Sequence, residues 1–177
     1  MVRQNTLKKN TMTRECIYTA LLLLMEQKPY EDISITEIAN KAGVSRMSYY
    51  RLYSSKDDIL EQHCHEIFGK WLMDIKVQEI EDKYHFAVLL FQVCREHHEL
   101  LETLLHARLH DLVQKNLVRY CSYLAEDFFH MDMEDKWTDY WIHAVSGKFS
   151  MLVGRWIETG MKESPEEMAH FLTENEF

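Results

Sequence analysis

The residues best equipped for chemistry in this chain lie together at positions 45–50, Ser-Arg-Met-Ser-Tyr-Tyr, with Lys56 close behind. An arginine fork can bind guanine O6 and N7 bidentately, and a methionine can press on a thymine methyl. Ser48 offers a donor beside them, and the Tyr50 hydroxyl can reach a phosphate oxygen. Lys56 stands at a helix start, where free amides already attract anions. Lys8, Lys9 and Arg14 add cations that can follow a phosphate backbone without reading sequence. This is recognition chemistry, not bond making. The sequence has no G-x-S-x-G, no glycine-rich phosphate loop and no H-E-x-x-H. Its paired carboxylates, Asp57-Asp58 and Glu166-Glu167, sit at helix starts, where capping explains them. The chain is therefore not expected to be an enzyme.

Charge follows the same division. Residues 1–56 hold nine Lys/Arg against five Asp/Glu, while residues 57–177 hold eleven against twenty-four. The net charge of −9 thus hides a basic head on an acidic body. Such a chain presents one end to a polyanion and keeps the other end off it. All ten histidines lie beyond residue 60. No apolar run approaches the length of a membrane span, and the short run after the basic start makes a poor secretory leader. The four cysteines are scattered, which reads as reduced thiols of a cytoplasmic protein.

Helices must position these groups. Only five glycines and two prolines occur in 177 residues, too few turn formers for a sandwich, barrel or doubly wound sheet. Ile17, Ala20, Leu21, Leu24 and Met25 mark a helix from Thr13 to Gln27, ended by Lys28-Pro29. Ser34-Ile35-Thr36-Glu37 forms a capping box for a short helix that Gly43 stops. Ser45 caps a second, over 46–52. A long helix over 56–75 follows, then helices over 84–96, 98–109, 111–129, 134–160 and 165–174. The two short helices around Ala42-Gly43-Val44 have the packing logic of a helix-turn-helix, whose second helix enters the DNA major groove.

Residues 12–62 resemble the DNA-binding domain of the TetR family of bacterial transcriptional regulators. The matching run is T36-E-I-A-N-K-A-G-V-S-R-M-S-Y-Y-R-L-Y-S-S-K-D-D-I-L60. Met47 and Leu52 depart from the family's commoner residues, which bears on base preference. The resemblance implies an all-α fold of about nine helices. A three-helix helix-turn-helix domain would occupy 1–55, and a helical dimerisation and effector-binding domain 56–177. It also implies a DNA-binding set of Thr36, Ser45, Arg46, Met47, Ser48, Tyr49, Tyr50 and Lys56, joined by Lys9 and Arg14. Base reading would fall to 46–48, phosphate to Tyr50 and Lys56. The function so implied is a sequence-specific regulator, usually a repressor, binding an inverted-repeat operator as a homodimer. The helix over 56–75 would carry an effector's influence to the head.

The body offers a stripe along the penultimate helix: Trp137, Trp141, Ala144, Val145, Lys148, Phe149, Leu152, Trp156 and Ile157. Gly147 and Gly154 leave room for a close neighbour. With Met168, Phe171 and Leu172 it resembles the family's two-helix dimer face, with Trp141, Val145, Phe149, Leu152, Trp156 and Phe171 at the interface. Trp71, Phe86, Phe91, Phe128 and Phe129, with Met131, are effector-contact candidates from the middle helices. A shared metal is conceivable at His106 and His110, an i, i+4 pair, but nothing clearly completes a tetrahedral set, so neither metal nor cofactor is expected. The alternatives kept open are a metal-responsive regulator of the same fold, and a regulator or activator that works through a protein partner without a small ligand.

Overall fold

Local signals punctuate the chain into helices, and a computed structural model shows each one in place. It describes residues 2–78 and 82–174, with side chains from residue 10 onward. α1 spans Val2–Met25. It starts well before the apolar periodicity at Thr13, because residues 2–12 hold no glycine or proline to interrupt a helix and no apolar face to announce one. A 3-10 turn over Tyr30–Asp32 follows Pro29. α2 spans Ile35–Lys41 behind its capping box: the Glu37 amide donates to Ser34 Oγ at 3.3 Å, and the Ser34 amide to Glu37 Oε2 at 3.0 Å. A cap of this kind contributes about 1 kcal/mol.

Gly43 takes φ 66°, and the Val44 amide turns back to Ala39 O at 2.9 Å. That left-handed step points the chain into α3, Arg46–Tyr50. α4 spans Lys56–Val77, α5 Lys83–Glu96, α6 His98–His106 and α7 His110–Tyr123. A π-helical turn, Leu124–Phe128, closes α7, with the Phe129 amide donating to Leu124 O at 2.8 Å. α8 spans Lys136–Glu158 and α9 Pro165–Glu174. Every regular element among the described residues is helical, and no helix there is long and apolar enough to cross a membrane.

Two expected helices end differently. The one expected over 98–109 stops at His106; Arg108 takes φ 57° and the Leu109 amide bonds Leu104 O, a left-handed C-terminal turn without glycine. His106 and His110 are therefore on separate helices, not one turn apart on one face. The helix expected over 111–129 changes to the wider π geometry at Leu124, which periodicity cannot register.

The chain divides into compact units, Met1–His65 and Glu66–Phe177. The first runs past residue 55 because the opening turns of α4 belong to it. Ile59 and Leu60 are buried, Gln62 Nε2 reaches Leu52 O, and His63 stacks on Tyr18 with ring centroids 3.7 Å apart. Its core is Ile17, Leu21, Ile38, Ala39 and Tyr49 with Ile59 and Leu60. In the second unit α5 packs on α9 and α7 on α8. Phe91, Phe149, Val153, Trp156 and Met168 fill one core; Cys121, Ala125 and Ile142 fill another. The four cysteines form no disulfide, and burial pushes the Cys94 thiol up to about 12 and the Cys121 thiol up to about 11.

Two outcomes follow from the head's joints. At Gly43 an added Cβ meets nothing within 4 Å, so Gly43→Ala costs only the left-handed backbone, about 1 kcal/mol in a urea melt. The Lys28 ammonium and the Ser34 groups hold the Glu37 carboxyl down at about 2, below its ordinary 4.5. A depressed carboxylate contributes stability that is present above 4.5 and lost as pH falls towards 2. Glu37→Gln should flatten the stability curve across that window and leave its shape near neutrality unchanged.

Candidate nucleic-acid interface

α3 begins at Ser45, whose Oγ accepts from the Ser48 amide at 3.1 Å and meets Ser48 Oγ at 3.0 Å. The next residues turn outward. Arg46 is exposed, Met47 is 86% exposed and Tyr50 half exposed. The Arg46 guanidinium lies 5.9 Å from the Tyr50 ring centre. Thr36 is exposed on the first turn of α2. A planar cationic fork, an apolar thioether and a phenol thus share one short, capped helix, which can meet base edges and phosphates together.

Tyr49 does the opposite of what was expected of it. One residue is about 100° of helix, so when Tyr50 faces out, Tyr49 faces in. It is fully buried and donates to Ser55 O at 2.9 Å. Burial, with the Asp58 carboxylate nearby, drives its phenol well above the ordinary range. Tyr49 anchors α3; it does not face a ligand.

Lys56 also departs from expectation. Its ammonium donates to Tyr30 O, Glu31 O and Ile33 O and lies 4.3 Å from the Tyr30 ring centre. A lysine has three protons to give, and two carbonyls of the 3-10 turn and that of Ile33 just after it take them. The next residue completes the clamp, since the Tyr30 hydroxyl donates to Asp57. Burial and that carboxylate raise the Tyr30 phenol well above its ordinary value. Arg14 is held too: it donates to Gln62 and lies 5.4 Å from the Tyr53 ring centre, joining α1 to α4. The Lys9 side chain lies outside the described residues.

In the body, Trp71, Phe86, Phe128 and Phe129 do come together. Trp71 meets Phe86 at 4.9 Å, Phe86 meets Phe128 at 5.2 Å and Phe129 at 6.0 Å. Met131 packs elsewhere, against the α7–α8 core. Phe91 does not join them; it lies in the α5–α8–α9 core against Phe149 and Trp156. Phe149 and Trp156 are themselves buried there, which corrects their expected place on a dimer face. Trp156 donates to Glu163 O at 3.1 Å and carries the Arg95 guanidinium over its ring. α8 has apolar residues on both sides, and periodicity could not tell which side α5 and α9 cover. Trp141, Val145 and Leu152 are partly buried flanks. The outward face carries Trp137, Tyr140 and Met151, exposed at 64%, 64% and 76%, with Ala144 between them and Phe171 exposed on α9. Of these, the expected stripe included Trp137 and Ala144 and the expected interface Phe171, while Tyr140 and Met151 belonged to neither.

The family of bacterial regulatory proteins called tetR matches residues 17–62, and a transcriptional regulator C-terminal region of the same family matches residues 81–175. The chain belongs to the TetR family. TetR-family chains are transcriptional regulators built on a DNA-binding helix-turn-helix, and this one has that head. The same fold occurs in a Listeria innocua protein of solved structure, with 15% identity, TM-score 0.80, and coverage of 94% of this chain and 90% of that one. It occurs in a chain described as a TetR-family transcriptional regulator from Syntrophomonas wolfei, at 17% identity, TM-score 0.60 and 93% coverage of each chain. It occurs also in DhaS, a dihydroxyacetone kinase operon activator, at 15% identity, TM-score 0.54 and 92% coverage of each. Comparison with curated proteins finds none that matches.

The clamp at Lys56 in this TetR-family head has a measurable consequence. Lys56→Met removes the ammonium from Glu31 O and Ile33 O, while Tyr30 O keeps the Ile33 amide, and should cost about 2 kcal/mol in a denaturant melt, a charged donor being worth roughly that much.

Proposed function

We propose that this chain is a cytoplasmic, homodimeric regulator that reads an inverted-repeat operator with α3 and acts chiefly by occluding a promoter. The observation that carries the reading is the outward set on α3, Arg46, Met47 and Tyr50, on a helix whose own cap and buried Tyr49 hold it rigid. Arg46 and Met47 read bases, with Ser48 and Thr36 beside them. Tyr50 holds phosphate. Phosphate affinity from Lys56 comes through its helix N-terminus and not its ammonium. Dimerisation falls to the outward face of α8 with Phe171. Gly147 and Gly154 support this, because a Cβ at either meets nothing in the protomer, so no packing within it requires a small residue there. A second copy can then approach closely. Two heads at fixed spacing match two half-sites, and an effector bound in the body weakens DNA binding by its preference for the mismatched spacing.

The metal-responsive alternative has lost its expected pair to the break at Arg108, and no metal-sized group of His, Cys, Asp and Glu assembles among the described residues. Activation in place of repression keeps one support, that DhaS is a dihydroxyacetone kinase operon activator.

Selection from a random duplex DNA pool tests the whole reading: an enriched inverted repeat is expected, and no enrichment overturns it. On that sequence Arg46→Ala should weaken binding about ten- to a hundredfold with unchanged folding stability. Raising salt from 50 to 200 mM should lower affinity steeply, as released counterions require. Met151→Glu should turn the dimer into monomer in sedimentation and remove operator binding with it; an unchanged dimer places the interface elsewhere.

A further inference from the structure

α8 turns one lengthwise row away from the core of its own protomer: Trp137, Tyr140, Ala144, Gly147, Met151 and Gly154. Trp137, Tyr140, Ala144 and Met151 are exposed, and a Cβ on either glycine would meet nothing within 4 Å. The spacing along the row alternates three and four residues, which is the seam on which two helices pack lengthwise. The opposite side of α8 is already filled, with Ile142, Phe149, Val153 and Trp156 buried.

Sizes along the row are matched about its middle. Trp137 and Gly154 lie equally far from the point between Val145 and Ser146. So do Tyr140 and Met151, and so do Ala144 and Gly147. An antiparallel α8 centred on that point therefore sets an indole on bare backbone in the outer layers and a phenol on a flexible thioether in the next. The central layers hold only alanine and glycine, which lets the helix axes come to the near end of the usual 8–10 Å. A parallel copy would set Trp137 on Trp137 and glycine on glycine, wedging one end and leaving voids at the other. Charge selects the same direction. Antiparallel helices bring Lys136 of one copy towards Glu158 of the other and Arg155 towards Glu134, whereas parallel helices bring each to its like. Arg155 lies 3.3 Å from Glu158 in its own helix, an exposed pair that holds neither group strongly. The exposed parts of Trp137, Tyr140 and Met151 offer roughly 400 Å² per copy, about half of what each partner gives to an interface of standard size.

We infer that α8 pairs antiparallel with α8 of a second copy of this chain, in a register centred between Val145 and Ser146, with Trp137 seated on Gly154 of the other copy and Tyr140 on Met151. This rests on reading the outward face of α8 as the dimer interface, and it adds which residue meets which. It also says which partner the face accepts. A helix carrying a large side chain at the position of Gly154 has no room for Trp137, so the face fits another copy of this chain and refuses chains without that gap.

Sedimentation equilibrium of the full chain reads the register through three variants. Gly154→Trp should weaken the dimer about a hundredfold, because two indoles then compete for each outer layer. Trp137→Ala should weaken it about tenfold by leaving those layers empty. The double variant should return to within about tenfold of the unaltered chain, a coupling that residues in contact show and distant ones do not. Both positions are open in the protomer, so the circular dichroism of all three should match the unaltered chain. A double variant no better than Gly154→Trp overturns the register while the dimer stands. An unaltered chain that sediments as a monomer overturns the dimer reading beneath it. A second measurement avoids bulky changes. With Cys16→Ser and Cys64→Ser in place, Tyr140→Cys/Met151→Cys should link two copies under mild oxidation and Met151→Cys alone should not, since a disulfide needs its α-carbons within about 7 Å. Linkage through Met151→Cys alone marks a parallel pair and overturns the proposal.

Discussion

A helix of five residues cannot hold itself together in water, because the cost of its first turn is not recovered over so short a length. α3 is such a helix, and everything proposed for the head depends on its being held from outside. Ser45 caps its first turn, Gly43 aims it, and Tyr49 passes its ring into the core and its hydroxyl to Ser55. Lys56 and Asp57 then tie the start of α4 to the turn that precedes α2. The three outward side chains gain a fixed geometry from a cap, a turn and one buried ring. A reader of base edges needs that rigidity, since a flexible side-chain platform loses its preference for one sequence over another.

The clamp also changes how the head's positive charge is to be understood. A count of lysines and arginines treats each as available to a polyanion. Here Lys56 is spent on three carbonyls and Arg14 on Gln62 and Tyr53, so the cationic fork offered on α3 is that of Arg46. The Lys28 ammonium is likewise paired with Glu37 at 2.7 Å. Three of the nine basic residues in 1–56 therefore build the domain itself.

The body solves a different problem, that of a long helix apolar on two sides. α8 buries Ile142, Ser146, Phe149, Val153 and Trp156 within the protomer and leaves Trp137, Tyr140 and Met151 outside. Large apolar side chains left outside in a row, with glycines beside them that nothing in the protomer crowds, are what a self-complementary face requires. The π turn after α7 and the indole N–H of Trp71, which has no acceptor, are departures from regular bonding in the second unit.

The helix-turn-helix was legible from residues alone because its signals are local. A capping box, a glycine at a left-handed turn and a serine cap each act within four residues, and their chemistry is the same in any surroundings. The helical class, the ends of most helices and the outward Arg46 and Met47 followed from these and from the scarcity of breakers. Partnership between distant residues was not legible. Periodicity shows that α8 has apolar faces but not which neighbour covers each, so Phe149 and Trp156 were expected outside and lie inside. Tyr49 and Tyr50 have nearly the same chemistry, and only the position of the core separates the buried ring from the exposed one. Lys56 looked free because its three acceptors lie more than twenty residues away, in a turn whose position depends on the folding of both ends. Short-range geometry is set by the chain's own bonds, whereas the inside of a helix is defined only by what packs against it.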